Sequence, residues 1–165
     1  MILAAIDGRS GAGKTTLASE LEQSGGVLVF HMDDYYLPRS LHKPGIAGNM
    51  DLLRFRQEVL EPLRAGKPVK TRRFDCVRQQ LCEEETLYPD DLVIVEGAYS
   101  LHPLLRDFYD SRIFADIDSE TQKQRLLQRM GPEKVREFER VWIPREEVYL
   151  KACDPKAVCD IVLKM

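Results

Sequence analysis

The sequence predicts an α/β protein. The expected architecture is a three-layer sandwich, a mostly parallel five-stranded sheet with helices on both faces, and a small antiparallel hairpin beside it. Three observations predict it. Residues 2–7, 27–32 and 92–96 are nearly continuous apolar runs, as in strands buried on both faces. Segments of helical periodicity separate these runs. Strands that alternate with helices, without an internal repeat, build a parallel sheet through crossovers. The 165 residues suit one domain spanning 1–165.

The elements follow in order. Residues 2–7 are the first strand. Residues 8–13 interrupt the pattern with glycines, and residues 14–23 read as a helix with Leu17 and Leu21 four apart on one face, ended by Gly25 and Gly26. Residues 27–32 are the second strand. Residues 33–49 carry Pro38, Pro44, Gly45 and Gly48 and read as loop. Residues 51–65 place Leu52, Phe55, Val59 and Leu63 near one stripe, so a helix is expected, with a kink or an early stop at Pro62, which has no N–H to give a helix interior. Segments 69–74 and 85–88 are short strands, too close for a parallel crossover and therefore antiparallel. After the strand at 92–96 come a short helix over 101–109 and a strand over 112–117. A capping box at Ser119 and Gln122 opens a helix to about Met130. Residues 132–150 are a charged helical stretch that Pro144 is placed to break, and residues 159–163 are the last strand.

Composition narrows the function classes. With 24 basic and 27 acidic residues the formal charge is −3, which gives no general attraction for nucleic acid or an anionic membrane. No apolar run approaches the 18 or so residues of a membrane span, and the N-terminus reads as a strand, not a signal peptide. Cys76, Cys82, Cys153 and Cys159 show no C-x-x-C spacing. They read as reduced thiols of a cytoplasmic protein.

Residues Gly8-Arg9-Ser10-Gly11-Ala12-Gly13-Lys14-Thr15 fit G-x-x-x-x-G-K-[ST] at every fixed position. Glycines let the backbone curl so that successive N–H groups point at phosphate oxygens, and the helix that follows turns its positive end toward them. Lys14 then reaches the β and γ phosphates, and the Thr15 hydroxyl helps hold Mg²⁺. The motif arises by chance in roughly one unrelated chain of this length in a hundred or more. Its position between a buried strand and a helix is the one the chemistry requires. The expected nucleotide contacts are Gly8, Ser10, Gly11, Ala12, Gly13, Lys14, Thr15 and Thr16, with ATP or GTP as the nucleotide.

Asp33 follows the second strand directly, at the edge where the cleft of a parallel sheet lies. A carboxylate there takes the proton of an attacking hydroxyl, or it caps the loop as an Asx turn. Glu96 ends the third apolar run and either orders Mg²⁺ or its waters, or partners a helix N-terminus. Arg125 and Arg129 share a helix face, which clamps a transferring phosphoryl group or is simply solvated. The later run of Arg136, Arg140 and Arg145 among Glu133, Glu137, Glu139 and Glu146 reads as a charged surface helix.

With these residues in hand, the sequence resembles the uridine kinase family of P-loop nucleoside kinases over nearly its whole length. Asp33-Asp34-Tyr35-Tyr36 is similar to the family's Asp-Ser-Phe-Tyr segment, Asn49-Met50-Asp51 to Asn-Phe-Asp, and Phe74-Asp75-Cys76 to Tyr-Asp-Phe. Tyr88-Pro89 and Val95-Glu96-Gly97 match, and Phe114-Ala115-Asp116-Ile117-Asp118 resembles Phe-Val-Asp-Thr-Asp. The resemblance implies a P-loop NTPase fold with a lid at about 125–145 and a substrate-side insertion at about 34–90. It implies ATP, Mg²⁺ and a small-molecule acceptor, and it allows for a homo-oligomer. Lys14, Asp33 and Arg129 would be catalytic, and Arg125 would join the nucleotide contacts. Asp33, Tyr35, Asp51, Phe74 and Arg129 would meet the acceptor, Asp51 through ribose hydroxyls. Thr15 and Glu96 would serve the metal. Leu52-Leu53 stands where the family has His-Pro, Gln79 or Arg78 where it has a hairpin histidine, Cys76 where it has an aromatic, and Arg129-Met130 where it has Arg-Asp. Nicotinamide riboside, pantothenate and sugar phosphates are therefore alternative acceptors to uridine or cytidine. A regulatory nucleotide-binding module is the alternative outside enzymes.

Overall fold

Alternation along each apolar run decides which layer each side chain joins. In the computed structural model, which describes residues 1–165, β1 (Ile2–Gly8) sends Leu3 and Ala5 into the larger of two cores and Ile6 into the smaller. The glycine loop follows, then α1 (Lys14–Gln23), whose Leu17 and Leu21 pack on the smaller core as their spacing predicts. In β2 (Val27–His31), Phe30 faces the larger core and Val29 the smaller. One sheet therefore separates two apolar layers, and a continuous apolar run is what both layers demand.

Residues 52–64 form α2 (Leu52–Phe55), a π-helical turn at Arg56–Leu60, and α3 (Glu61–Arg64). Helical structure runs on past Pro62 to Arg64 instead of stopping at the proline. The wider turn before it removes the need for an i to i−4 bond at the proline and makes room for its ring. The same device recurs before Pro144. Phe55, Val59, Leu60 and Leu63 fill the larger core.

Beyond the helix lie β3 (Val69–Thr71), β4 (Phe74–Asp75), β5 (Gln80–Leu81) and β6 (Glu85–Leu87). β3 pairs with β6 antiparallel, as chain length demands. β4 and β5 form a second, tighter hairpin that the sequence reading ran into its neighbours. β7 (Leu92–Glu96) re-enters the main sheet, followed by β8 (Ser111–Asp116). Between them, residues 101–109 are turns with a single 3₁₀ turn at Arg106–Phe108 rather than the expected helix. Leu101 and Leu105 are fully buried there, and the turns are held by short-range bonds such as Leu105 N–H and Arg106 N–H to the His102 carbonyl, at 2.8 and 3.0 Å.

α4 (Ser119–Glu137) is capped by Asp118, not Ser119: the Asp118 carboxylate accepts the Thr121 N–H at 2.7 Å and the Thr121 hydroxyl at 3.1 Å. Gly131, with φ 78° and ψ 169°, interrupts this helix just after the expected end. A π-helical turn at Phe138–Trp142 leads into α5 (Ile143–Cys153), α6 (Pro155–Val158) and the edge strand β9 (Ile161–Lys164). The five main strands run parallel in the order β2-β7-β1-β8-β9. Glu96 of β7 stands opposite Ile6 of β1 and His31 of β2, so the carboxyl ends of these three strands share one edge.

Candidate active site

At that edge β1 delivers the glycine loop. Gly8 has φ 145°, and a Cβ on it would lie 2.3 Å from the carbonyl oxygen of Ala115 in β8. Only glycine lets the chain leave the sheet so close to its neighbour. The backbone N–H groups of Gly11, Gly13, Lys14 and Thr15 donate to no acceptor within the protein. They are the orphan donors of a helix start, gathered where an anion fits. Lys14 is 7% exposed and lies back along the loop, donating to the carbonyls of Gly8 and Arg9 at 2.9 Å each. Ala12 is buried in the smaller core and anchors the loop from below. Asp7, fully buried, accepts the N–H groups of Gly8 at 2.6 Å and Leu101 at 2.8 Å and the Tyr149 hydroxyl at 2.6 Å. Burial raises its pKa against the pull of these bonds.

A cavity of about 370 Å³ opens in front of the loop. Ser10, Gly11, Gly13, Lys14, Thr15 and Thr16 line it together with Asp33, Phe74, Glu96 and Arg129. These residues come from five separate stretches of chain, and the sequence reading assigned every one of them to the site. Asp33 Oδ1 accepts the Tyr36 hydroxyl at 2.9 Å. Burial and the Asp33 carboxylate hold that phenol above its ordinary pKa, so it remains a neutral donor. Glu96 is 4% exposed; its Oε1 accepts the Thr15 hydroxyl at 3.0 Å and lies 2.7 Å from His31 Nδ1. The bond to Glu96 raises the His31 pKa in spite of partial burial. A hydroxyl and a carboxylate side by side beneath a phosphate site form an oxygen donor set that suits Mg²⁺, which takes few protein ligands and keeps waters and phosphates.

Other expected residues stand elsewhere. Gly8 and Ala12 shape the loop without lining the cavity. Arg125 also lies outside the lining, although its Nη1 reaches the Gly11 carbonyl at 3.4 Å. Tyr35 points into the core at 1% exposure, with its hydroxyl 2.9 Å from that of Thr71 and its ring edge-on to Phe55. Burial pushes its pKa up to about 12. A 3₁₀ turn at Met32–Tyr35 rotates the chain here, so Tyr36 faces the cavity in its place. Asp51 caps α2, accepting the Arg54 N–H at 3.2 Å and Arg54 Nε at 3.1 Å, and it does not line the cavity.

Several residues of the site escaped the sequence reading. Glu146 lies in the segment read as a charged surface, yet it is 5% exposed and lines the cavity. It accepts the Ser10 N–H at 3.0 Å, the Ser10 hydroxyl, and Gln122 Nε2 at 2.8 Å. Trp142 and Phe138 bring an aromatic wall from the same arm of chain, with Trp142 6.2 Å from the Tyr36 ring. Arg39, His42 and Asn49 enter from the loop after β2.

Residues 43–151 match the profile of the phosphoribulokinase/uridine kinase family. The chain belongs to that family. A uridine kinase of Chlamydia pneumoniae is 34% identical over 145 residues, which are 79% of this chain and 63% of that protein. A uridine kinase of Staphylococcus epidermidis is 31% identical over 148 residues, 82% of this chain and 72% of the relative. The chain thus spans somewhat less than two thirds of the Chlamydia protein. Among solved structures, a possible uridine kinase from Bacillus stearothermophilus superimposes with a TM-score of 0.74 at 24% identity, covering 99% of this chain and 88% of the other. That likeness is one of fold. The matched region holds the strand ending in Glu96 and the arm that carries Arg129 and Trp142.

Proposed function

We propose that this protein is an ATP-dependent phosphotransferase of the uridine kinase type. It moves the γ-phosphate to a primary hydroxyl, the 5′-OH of uridine or cytidine first among acceptors. One observation carries the reading: the phosphate loop and Asp33 face the same cavity. The free N–H groups of Gly11, Gly13, Lys14 and Thr15 and the start of α1 bind the phosphates. Lys14 exchanges its two carbonyl partners for phosphate oxygens. Thr15 and Glu96 would hold Mg²⁺, which neutralises phosphate charge when bound. Asp33 takes the proton of the attacking hydroxyl while Tyr36 keeps its carboxylate oriented. Arg129, supported by Arg125 at the loop backbone, balances the charge of the group in transfer. Phe74, Phe138 and Trp142 supply flat apolar surface for a base. In this reading the lid is the arm at about 125–145 and the insertion at about 34–90 forms the acceptor side. The donor is ATP, with GTP the alternative, and the reaction belongs to the cytoplasm.

A second acceptor class has one observation in its favour. The Arg39 guanidinium lines the cavity and pairs with no carboxylate, which suits an acceptor with an anionic group of its own, such as a sugar phosphate or pantothenate. A phosphorylation screen with ATP–Mg²⁺ across nucleosides, nicotinamide riboside, pantothenate and pentose phosphates decides between them. Phosphorylated uridine or cytidine is the expected product. Nucleotide binding with no phosphorylated product from any acceptor contradicts the kinase reading and favours a regulatory module.

A further inference from the structure

β2 runs apolar from Val27 to Phe30 and then ends on a histidine. His31 stands in register with Glu96, the last residue of the parallel neighbour β7. Side chains at paired positions of neighbouring strands leave the sheet on the same face. Val29 and Ile94, two residues back on each strand, lie in the smaller core, so that face is the one α1 covers. Thr15, in the first turn of α1, reaches the same carboxylate. Three elements therefore meet at Glu96.

Their bonds divide the carboxylate unequally. Oε1 takes both donors, His31 Nδ1 at 2.7 Å and the Thr15 hydroxyl at 3.0 Å. Oε2 accepts nothing from the protein, and in a side chain only 6% exposed it still keeps open surface. Glu96 lines the cavity and His31 does not. What the histidine does for the cavity it does through Glu96. The last torsion of a glutamate is broad and two-fold, so a single donor would leave the carboxylate free to turn. Two donors from different elements on one oxygen remove that freedom and leave the other oxygen outward. A Thr15 hydroxyl that donates its proton to Glu96 also keeps its lone pairs for a cation.

We propose that His31 is a positioning residue for the divalent cation: it holds Oε1 of Glu96 so that Oε2, together with the Thr15 oxygen, is offered to Mg²⁺ or to its waters. The inference rests on the reading of Thr15 and Glu96 as the residues of the metal. Partners that fix a metal-binding side chain in this way account for about 10–100-fold in metal affinity or activity.

The test measures metal binding directly. Mn²⁺ is titrated into the protein–ADP complex, with free Mn²⁺ read by electron paramagnetic resonance, for the wild type, His31→Ala, His31→Leu and His31→Asn. Calorimetry with a chelator present gives the affinity of each protein for ADP without metal. His31→Ala and His31→Leu, one leaving the space empty and the other filling it, are expected to weaken Mn²⁺ binding about tenfold or more, while metal-free ADP affinity stays within about twofold. His31→Asn, whose amide nitrogen can stand where Nδ1 does, stays within about threefold of the wild type for Mn²⁺. A general loosening of the strand end would instead weaken ADP with and without metal alike, and that result overturns the proposal. Unchanged Mn²⁺ affinity in the Ala and Leu variants overturns it too, as does an Asn variant as weak as Ala. A wild type that binds no nucleotide overturns the phosphate-loop reading and this assignment with it; a wild type that binds ADP and Mn²⁺ with an indifferent position 31 overturns this assignment alone.

Discussion

Lys14 shows how far single residues were legible. Its spacing from Gly8 and Gly13 identifies it, because the chemistry of a phosphate loop lives in backbone curvature and in one fixed cation. Its two hydrogen bonds go to carbonyls of its own loop, so the fold leans on it little. Lys14→Ala is expected to cut ATP affinity at least tenfold, as the loss of one charge-assisted contact worth about 1.5–3 kcal/mol implies. Titration calorimetry reads the affinity, and circular dichroism should show a folded protein. Tyr35 and Tyr36 mark the opposite case. Both fit the same motif, but one residue of chain rotation in a 3₁₀ turn decides which is core and which is site. Glu146 was illegible for another reason. Its neighbours in sequence, Arg145 and Glu147, are charged, and its partners Ser10 and Gln122 stand 136 and 24 residues away.

At the scale of elements, strands were read well wherever burial on both faces left an uninterrupted apolar run. Helix ends were read less well, because Asp118 and Ser119 are both good caps and the sequence does not say which takes the extended conformation. Asp118 does, with φ −77° and ψ 166°. Asp118→Ala is expected to destabilise the protein by about 1 kcal/mol and Ser119→Ala by less than about 0.5 kcal/mol, in chemical denaturation at neutral pH. The reverse order would restore the Ser119 capping box. Pro62 and Pro144 look like breaks in any local reading. The π-helical turns that precede both let the helices run on. Residues 101–109 form turns and one 3₁₀ turn rather than a helix, and Leu101 and Leu105 are buried in the larger core all the same.

The whole molecule adds what neither scale contains. The strand order brings Gly8, His31 and Glu96 to one edge, and two long excursions of the chain close over it to form a single cavity. Trp142, the chain's one tryptophan, stands at that closure against Tyr36. Its emission should therefore shift on adding an acceptor, and saturation should follow the acceptor's KM. A signal indifferent to every phosphorylated substrate would place the acceptor away from the arm. The fold and the glycine-loop lining of the cavity were thus open to reading from sequence, since they rest on periodicity and on local spacing. Arg39 and Trp142 were not, since only the three-dimensional fold brings them to the same cavity.

The central claim is that Asp33 accepts a proton in a transfer for which the phosphate loop supplies the phosphoryl group. Asp33→Asn keeps the shape of the cavity and removes the base. Measured with ATP–Mg²⁺ and the best acceptor of the screen, it should bind nucleotide as the wild type does while kcat falls by roughly 10²–10⁴. A fall of less than about tenfold, with nucleotide affinity intact, would contradict the account and remove Asp33 from the chemistry.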